Sequence, residues 1–258
     1  MSDRIIVTGG SGRLGRSVVA GFAAAGREVV SIDRVLPQDP SDGVEYRAVD
    51  LLDAGATAAV FAEVAPAEVV SLAAIAVPFS APEDVILRTN SVIAHNVTAA
   101  SVAAGARTVA IASSPSIMGY GAPVEWTPPK LPLDETVTPQ PWHAYGLSKY
   151  MAEQVAGMFA RQTDAVKFVS FRPCFVIAPE EWEGAPTQQG HSVVERLDDS
   201  ALSAVALFNY VDARDVTGFL LQLLARIDDV DNGEVFFVGA ADALARRPLA
   251  ELVPEHFP

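Results

Sequence analysis

The sequence predicts an α/β fold with a doubly wound parallel sheet. Over the first two-thirds of the 258-residue chain, short apolar runs alternate with longer helical patterns. Continuously apolar strands separated by helices are typical of a parallel sheet that is covered on both faces. Half of the residues are hydrophobic, which provides a large core and excludes a disordered protein.

Each predicted element follows from its local pattern. The apolar runs predict strands, in chain order, at Arg4–Thr8, Glu28–Asp33, Glu45–Ala48, Glu68–Ala73, Thr108–Ser113 and Lys167–Arg172. The longer segments between them predict helices at Gly12–Ala25, Ala56–Ala65, Val85–Ala104 and Ala144–Gln162.

The pattern changes in two places. Gly119–Pro141 is rich in proline and predicts a loop near a functional site, because sites lie on loops that follow parallel strands. After Pro173 the alternation weakens, and Glu180–Ser200 is polar and irregular. The remaining patterns predict a strand, a helix and a strand at Asn209–Val211, Val216–Ala225 and Val235–Val238.

Composition excludes several classes of protein. The net charge of −14 argues against binding to nucleic acid or to an anionic membrane. A single cysteine, Cys174, cannot form an internal disulfide and fits a reducing compartment, and one Cys with four scattered His predicts no metal site. No segment is typical of a membrane span, and Met1 to Arg4 leave no room for a signal peptide. We expect a cytoplasmic location.

Three glycines after the first predicted strand indicate a nucleotide site. Gly9, Gly12 and Gly15 stand in Thr-Gly-Gly-Ser-Gly-Arg-Leu-Gly, between a strand and a helix. Glycine permits a tight turn and close approach of the backbone to a pyrophosphate, and the helix start presents free N–H groups to it. The alternative is a glycine-rich turn that binds nothing.

An acidic residue at the end of the second strand favours NAD. Asp33 lies about 20 residues beyond the glycine turn, where a carboxylate binds the adenosine ribose and repels a 2′-phosphate. Arg34 beside it is able to accept that phosphate, so NADP stays the weaker alternative. Asp50, after the third strand, is interpreted either as an adenine contact or as a helix N-cap.

A tyrosine and a lysine supply candidate catalytic groups. Tyr145 and Lys149 lie four residues apart, which places both on one face of the predicted helix. A nearby cation lowers the pKa of a phenol, so Tyr145 is able to take a proton from a hydroxyl as hydride leaves the same carbon. Ser113 and Ser114 end a central strand, and either hydroxyl is placed to bind the substrate oxygen.

Taken together, these motifs resemble the extended short-chain dehydrogenases/reductases of the NAD-dependent epimerase/dehydratase type. The order and spacing agree over nearly the whole chain, and the stretch from Ser113 to Gly119 is loosely similar to uronate dehydrogenases. The matching residues are Thr8 to Gly15, Asp33, Asp50, Leu51, Leu72, Ala73, Ala74, Asn90, Ser113, Ser114, Tyr145, Lys149, Arg172, Pro173 and Tyr210 to Val216.

The resemblance implies a Rossmann-type fold and a role for each matching residue. The catalytic groups would be Ser114, Tyr145 and Lys149, with Ser113 as the alternative hydroxyl. The cofactor-binding residues would be Gly9, Ser11, Gly12, Arg13, Leu14, Gly15, Asp33, Arg34, Asp50, Leu51, Leu72, Ala73, Ala74, Asn90, Ser113, Tyr145, Lys149, Pro173, Phe175 and Val176. It also implies a homodimer and no metal.

The resemblance divides the chain into two parts. Residues 1–173 would form the NAD-binding Rossmann domain. Residues 174–258 would form a small C-terminal substrate-binding lobe, with return elements at about 205–225 packing on the Rossmann sheet. The chain stops soon after Ala240–Pro258, where members of the family usually continue, so we expect a truncated C-terminus.

Two departures bear on the substrate. An asparagine common after the sixth strand is replaced in Cys174-Phe175-Val176, and an arginine common before Tyr210 is replaced in Ala206-Leu207-Phe208-Asn209. Both changes weaken a nucleoside-diphosphate sugar as substrate and favour a sugar or related small alcohol. Three hypotheses follow: an NAD-dependent oxidoreductase, an epimerase or dehydratase that returns the hydride, and a non-catalytic NAD(P)-sensing protein. His95, His143 and His191 receive no role from the sequence.

Overall fold

The computed structural model describes residues 4–124 and 126–257. Seven strands form one parallel sheet in the order β3-β2-β1-β4-β5-β6-β9. These strands are β1 (Arg4–Thr8), β2 (Glu28–Asp33), β3 (Glu45–Ala48), β4 (Glu68–Ser71), β5 (Thr108–Ala112), β6 (Lys167–Pro173) and β9 (Val235–Val238). The predicted doubly wound α/β fold is confirmed.

Helices cover both faces of this sheet. The longer ones are α1 (Arg13–Ala24), α2 (Ala54–Val64), α3 (Glu83–Ala103), α4 (Ala144–Ala160) and α8 (Ala213–Ala225). One core cluster joins the sheet to α2, α3 and α4 through Phe61, Val97 and Ala156, and the other joins it to α1 and α8 through Phe22 and Leu220. Each helix thus buries its apolar stripe against the apolar strands.

After Pro173 the predicted strand at Asn209–Val211 is observed as Tyr210–Asp212, but its partner strand and four short helices were not indicated by the sequence patterns. Strands β7 (Phe175–Ile177) and β8 (Tyr210–Asp212) form a separate two-stranded parallel sheet. Between and after them lie the short helices α5 (Pro179–Trp182), α6 (Val193–Asp198), α7 (Ala201–Ala204) and α9 (Leu249–His256).

The same segment also contributes to the main sheet. Strand β9 pairs with β6 in the register Ser170 to Val235, and α8 packs against α1. The boundary between residues 173 and 174, with a substrate-binding lobe beyond it, stays a prediction.

Parallel pairing brings the carboxyl ends of the central strands to one edge. β1 pairs with both β2 and β4, and β5 pairs with both β4 and β6. The glycine turn after β1 and the serines after β5 therefore lie on the same side of the sheet. This edge is where parallel α/β sheets bind their ligands.

Candidate active site

A large cavity opens at this edge of the sheet. Its volume is about 1000 Å³. It is lined by the turn after β1, the ends of β2, β4 and β5, the start of α4 and the segment after β6. The strand ends and the segment after β6 thus enclose one site.

The turn between β1 and α1 leaves no room for side chains at two of its glycines. Gly9 has a φ of +73°, and a Cβ there would lie 2.7 Å from the backbone nitrogen of Ala73. A Cβ on Gly15 would lie only 2.1 Å from the carbonyl oxygen of Gly9. Glycine is thus required for the turn to fold back against the strand ends.

The start of α1 fits a phosphate. Gly12 is its N-cap and has no capping side chain, and the first turn carries no acidic residue. Its first N–H groups therefore have no intrahelical partner, and the positive end of the helix dipole lies beside the cavity. The residues present thus suit the pyrophosphate of a dinucleotide.

Asp33 lies beside this turn. Its carboxylate accepts hydrogen bonds from the backbone N–H of Ser11 at 3.1 Å and of Arg34 at 2.7 Å, and both Asp33 and Arg34 line the cavity. Two N–H donors orient the carboxylate and leave it further lone pairs for a ribose hydroxyl.

Asp50 also lines the cavity, but it is not a helix cap. It accepts from the N–H of Leu52 at 3.0 Å, whereas the N-cap of α2 is Asp53, which accepts from Ala56 at 3.0 Å. The N-cap interpretation of Asp50 is therefore wrong, because α2 begins at Ala54, directly after its N-cap Asp53 and four residues beyond Asp50.

The three candidate catalytic residues converge at the centre of the cavity. Tyr145 and Lys149 lie on one face of α4, and the Lys149 Nζ is 5.9 Å from the centroid of the Tyr145 ring. The Ser114 side chain acts on the Tyr145 phenol and lowers its pKa. All three residues line the cavity, although Tyr145 is only 8 % exposed.

Burial in the protein shifts the pKa values of Tyr145 and Lys149 towards their uncharged forms. Burial raises the pKa of Tyr145, and the Ser114 side chain opposes that shift. Burial also lowers the pKa of Lys149 to about 8, and its Nζ donates to the carbonyl oxygen of Ala112 at 2.9 Å. The predicted lowering of the Tyr145 pKa by Lys149 and the nicotinamide stays a prediction, and in this structure the Lys149 ammonium is bonded to the β5 carbonyl of Ala112.

Ser113 differs from Ser114 in its surroundings. Its hydroxyl donates to the carbonyl oxygen of Lys149 at 3.3 Å and its side chain is buried. Ser114 caps the 3-10 helix at Pro115–Met118 and its hydroxyl lies 3.0 Å from that of Ser116. Ser114 is therefore the serine that acts on the phenol.

Asn90 supports the site without lining the cavity. Its side chain accepts from the N–H of Ile75 at 2.8 Å, and donates to the Ile75 carbonyl at 3.1 Å and to the Ser148 hydroxyl at 3.0 Å. These bonds tie α3 to the loop after β4 and to α4. The structure thus gives Asn90 protein partners instead of a place on the cavity wall.

Arg13 has a partner that the sequence did not indicate. Its guanidinium forms an ion pair of 2.6 Å with the buried Glu181 and donates to the carbonyl oxygen of Pro186 at 2.7 Å. Arg16, one turn later, pairs with Glu180. These pairs join the glycine turn to the segment after β7, a long-range contact for which no local sequence signal exists.

Most of the predicted cofactor residues line the cavity. Ser11 and Asn90 do not. Those that do are Gly9, Gly12, Arg13, Leu14, Gly15, Asp33, Arg34, Asp50, Leu51, Leu72, Ala73, Ala74, Ser113, Tyr145, Lys149, Pro173, Phe175 and Val176.

Other residues complete the wall. Phe79, Tyr120, Trp142 and His143 form its aromatic part, and Gln188, Gln189 and Asn209 contribute polar side chains. Sequence reasoning assigned none of them a role. Trp142 and His143 lie only three and two residues before Tyr145, and this proximity was an available signal. Phe79 lies in a loop without a recognisable motif.

Among the described residues, no helix is long and apolar enough to cross a membrane. No group of three or more His, Cys, Asp or Glu in the same ranges is arranged to hold a metal ion.

The fold and this arrangement define a class of protein. Residues 5–239 match the NAD-dependent epimerase/dehydratase family, and the chain belongs to that family. The chain is therefore an enzyme, as the sequence motifs predicted.

Solved structures with the same fold cover nearly the whole chain. A protein from Burkholderia cenocepacia, provisionally described as an epimerase, is 29% identical, with 99% of this chain and 80% of that chain covered and a TM-score of 0.70. A short-chain dehydrogenase/reductase from Agrobacterium tumefaciens with bound NAD is 23% identical (98% and 81% covered, TM-score 0.74). The UDP-glucose 4-epimerase from Brucella ovis with NAD is 18% identical (98% and 81% covered, TM-score 0.76). A search of curated protein sequences finds no match.

Proposed function

We propose that the protein is an NAD-dependent oxidoreductase that moves a hydride between the nicotinamide and a hydroxyl-bearing carbon of a sugar or related small alcohol. The observation that carries this proposal is the convergence of Ser114, Tyr145 and Lys149 in the cavity behind the glycine turn. A hydroxyl donor, a phenol and an ammonium at one point are the groups that proton transfer from an alcohol requires.

NAD, when bound, supplies the hydride acceptor. Ser114 holds the substrate hydroxyl, and Tyr145 Oη takes its proton as the carbon gives up hydride and becomes a carbonyl. Tyr145 must therefore be a phenolate before it takes this proton and is a neutral phenol afterwards. Lys149 stabilises that phenolate once its Nζ exchanges the Ala112 carbonyl for the phenol or for a ribose hydroxyl. Because Tyr145 is buried, the hydrogen bond from Ser114 to the substrate oxygen and the attraction between Lys149 and the phenolate both act at low dielectric and are stronger.

NAD is favoured over NADP. The Asp33 carboxylate is fixed beside the glycine turn by two backbone N–H groups, where it accepts from ribose hydroxyls and repels a 2′-phosphate. Gly9, Gly12 and Gly15 would cradle the pyrophosphate, and Asp50 and Leu51 would contact the adenine.

The second candidate is an epimerase, in which the same first step is followed by return of the hydride to the substrate. Relatives of the same fold favour it, because the similar structures include UDP-glucose 4-epimerases. The two candidates share Tyr145 and differ in whether reduced cofactor accumulates.

The assembly and location are also proposals. Exposed apolar side chains on α3 and α4, Val92, Leu147 and Met151, support a homodimer formed through these two helices. Residues 174–258 are proposed to close over the substrate, and a cytoplasmic location stays a prediction.

The discriminating experiment is incubation of the purified protein with NAD and a panel of aldoses, uronates and UDP-sugars. The oxidoreductase predicts NADH formation that is stoichiometric with an oxidised product. The epimerase predicts an isomerised sugar without net NADH. Firm NAD binding with neither product would contradict both and would support a non-catalytic NAD-sensing protein.

A further inference from the structure

An aromatic wall, defined as Phe79, Trp142 and His143, stands beside the Tyr145 phenol. The ring centroids of Phe79 and Trp142 are 5.7 Å apart, those of Phe79 and His143 5.4 Å, and those of Trp142 and His143 4.9 Å. The His143 ring in turn is stacked on Tyr145 at 6.1 Å. All four residues line the cavity, so the wall adjoins the reacting position.

Phe79 is held in this wall at a cost in stability. Its φ of +61° lies in the left-handed region that side chains other than Gly, Asn and Asp seldom adopt. The residue is also 59% exposed, so little burial offsets the strain. A strained, exposed aromatic ring beside a cavity indicates a ligand contact instead of a contribution to folding.

His143 adds an uncharged hydrogen-bond donor. Its Nδ1 accepts from the N–H of Gly146 at 3.0 Å and thereby caps α4, so the neutral ring carries its proton on Nε2. The residue is only 8 % exposed, and Nε2 has no hydrogen-bond partner among residues 4–124 and 126–257. Burial lowers the pKa of His143 and so favours the neutral ring, while the nearby Glu83 carboxylate opposes this shift.

Among the described residues, Lys149 is the one cationic side chain that lines the cavity beside Tyr145, and its Nζ already donates to the Ala112 carbonyl. The cationic side chains that line the cavity are Arg13 and Arg34, near the glycine turn, and Lys149 beside Tyr145. One further guanidinium, that of Arg196, contacts the cavity-lining residues Phe175 and Gln189 without lining the cavity itself. Arg196 is 1 % exposed, lies 4.1 Å from the Phe175 ring centroid and donates to Gln189 and to the Leu202 carbonyl.

We propose that the aromatic wall binds the face of an uncharged cyclic alcohol, or of the corresponding ketone, with a ring oxygen accepting a hydrogen bond from His143 Nε2. This inference rests on the proposed function and narrows its substrate class. A diphosphate or carboxylate at this end would lose its water and meet only Lys149, whose Nζ is bonded to the Ala112 carbonyl, and desolvation without a dedicated cationic partner is unfavourable. An uncharged ring gains apolar contact with Phe79 and Trp142, together with one directed bond.

Two variants separate binding from folding. His143→Asn keeps a side-chain acceptor for the N-cap of α4 but removes the ring and the Nε2 donor. Phe79→Gly removes the ring and relieves the positive φ, so thermal stability is expected to be unchanged or higher. His95→Asn makes the same replacement at an exposed position of α3 outside the cavity and is the matched control.

The test compares NAD reduction by D-glucose, D-galactose and cyclohexane-1,2-diol with that by D-galacturonate and UDP-glucose. We expect a neutral ring to give the highest kcat/KM. In His143→Asn and in Phe79→Gly the KM for the neutral substrate is expected to rise roughly 3- to 10-fold, because one hydrogen bond or one aromatic contact is lost. The affinity for NAD should be unchanged. His95→Asn should match the wild type.

The outcomes separate the two levels of the proposal. A higher kcat/KM for galacturonate or UDP-glucose overturns the substrate class while leaving the oxidoreductase intact. An unchanged KM in both wall variants overturns the role of the wall. NAD binding without turnover of any compound contradicts the proposed function itself, and the inference falls with it.

Discussion

Replacing Gly15 by alanine is the sharpest perturbation of the proposed cofactor site. The added Cβ would lie 2.1 Å from the carbonyl oxygen of Gly9 and 2.7 Å from the Cα of Gly10. Both neighbours are backbone atoms of the glycine turn, so no flexible side chain is able to move aside. The turn and the start of α1 must separate, and overpacking of this kind costs about 1–3 kcal/mol of the free energy of unfolding.

The same displacement should weaken NAD binding. If the turn moves, at least one charge-assisted hydrogen bond from an α1 N–H to the pyrophosphate is lost, and such a bond contributes about 1.5–3 kcal/mol. This corresponds to a loss of affinity of roughly 10- to 100-fold. The assays are urea unfolding and titration with NADH followed by fluorescence.

Gly218→Ala is the matched control for this change. Gly218 lies within α8, and a Cβ there meets nothing within 4 Å. Alanine in an exposed helix interior is more favourable than glycine by about 0.8–1.0 kcal/mol, so this variant should be slightly more stable and bind NADH normally. Wild-type stability and NADH affinity in Gly15→Ala would refute the reasoning.

Three further perturbations test other parts of the site. The rate of alcohol oxidation should rise between pH 6 and pH 8, because the reaction needs the base form of Tyr145 and burial raises the pKa of that residue. Above about pH 8 the rate should flatten as Lys149 loses its proton. A flat profile from pH 6 to 8 would contradict this prediction. Buried Arg172 donates to the Glu153 carboxylate at 2.8 and 2.9 Å in the wild type. Glu153→Leu removes this partner, so the free energy of unfolding in urea should fall by about 3–5 kcal/mol. An unchanged unfolding midpoint would argue against the pair. Arg13→Ala removes the ion-pair partner of the buried Glu181 carboxylate, so the free energy of unfolding should fall by about 1–3 kcal/mol. Amide hydrogen exchange over residues 178–187 should become faster. Exchange at the wild-type rate would show that the ion pair does not hold this segment.

The central strands were predictable because their burial on both faces leaves a direct signal. Arg4–Thr8 and Glu28–Asp33, which are almost wholly buried, are observed with their predicted bounds, and so is the less buried edge strand Glu45–Ala48. The glycine turn was equally accessible, since its conformation requires residues that lack a side chain. In both cases the local sequence alone determines the local structure, so the prediction needed no knowledge of distant contacts.

The part of the chain between Pro173 and the strand at Tyr210–Asp212 was not predictable in the same way. Helix α6 has six residues and begins at a capping box formed by Ser192 and Glu195, while its buried Arg196 is held by Gln189 and Leu202. Elements this short have too few residues for a periodic pattern, and tertiary contacts decide whether they form.

Side-chain partners that are distant in sequence were also inaccessible. Neither the ion pair between Arg13 and Glu181 nor the bond from Lys149 to the Ala112 carbonyl has a local signature. The strained Phe79 gave no signal because a positive φ at phenylalanine contradicts residue preferences. Departures of this kind concentrate at functional sites, where local preference is overruled.

The central claim is that Tyr145 Oη takes the proton of the substrate hydroxyl. It is tested most directly by single-turnover measurement of NADH formation, or of sugar isomerisation, with the wild type and Tyr145→Phe. General acid–base catalysis by a positioned side chain contributes about 10²- to 10⁴-fold, so the variant should bind NADH normally and lose activity by that factor. A Tyr145→Phe protein with the wild-type rate would contradict the account.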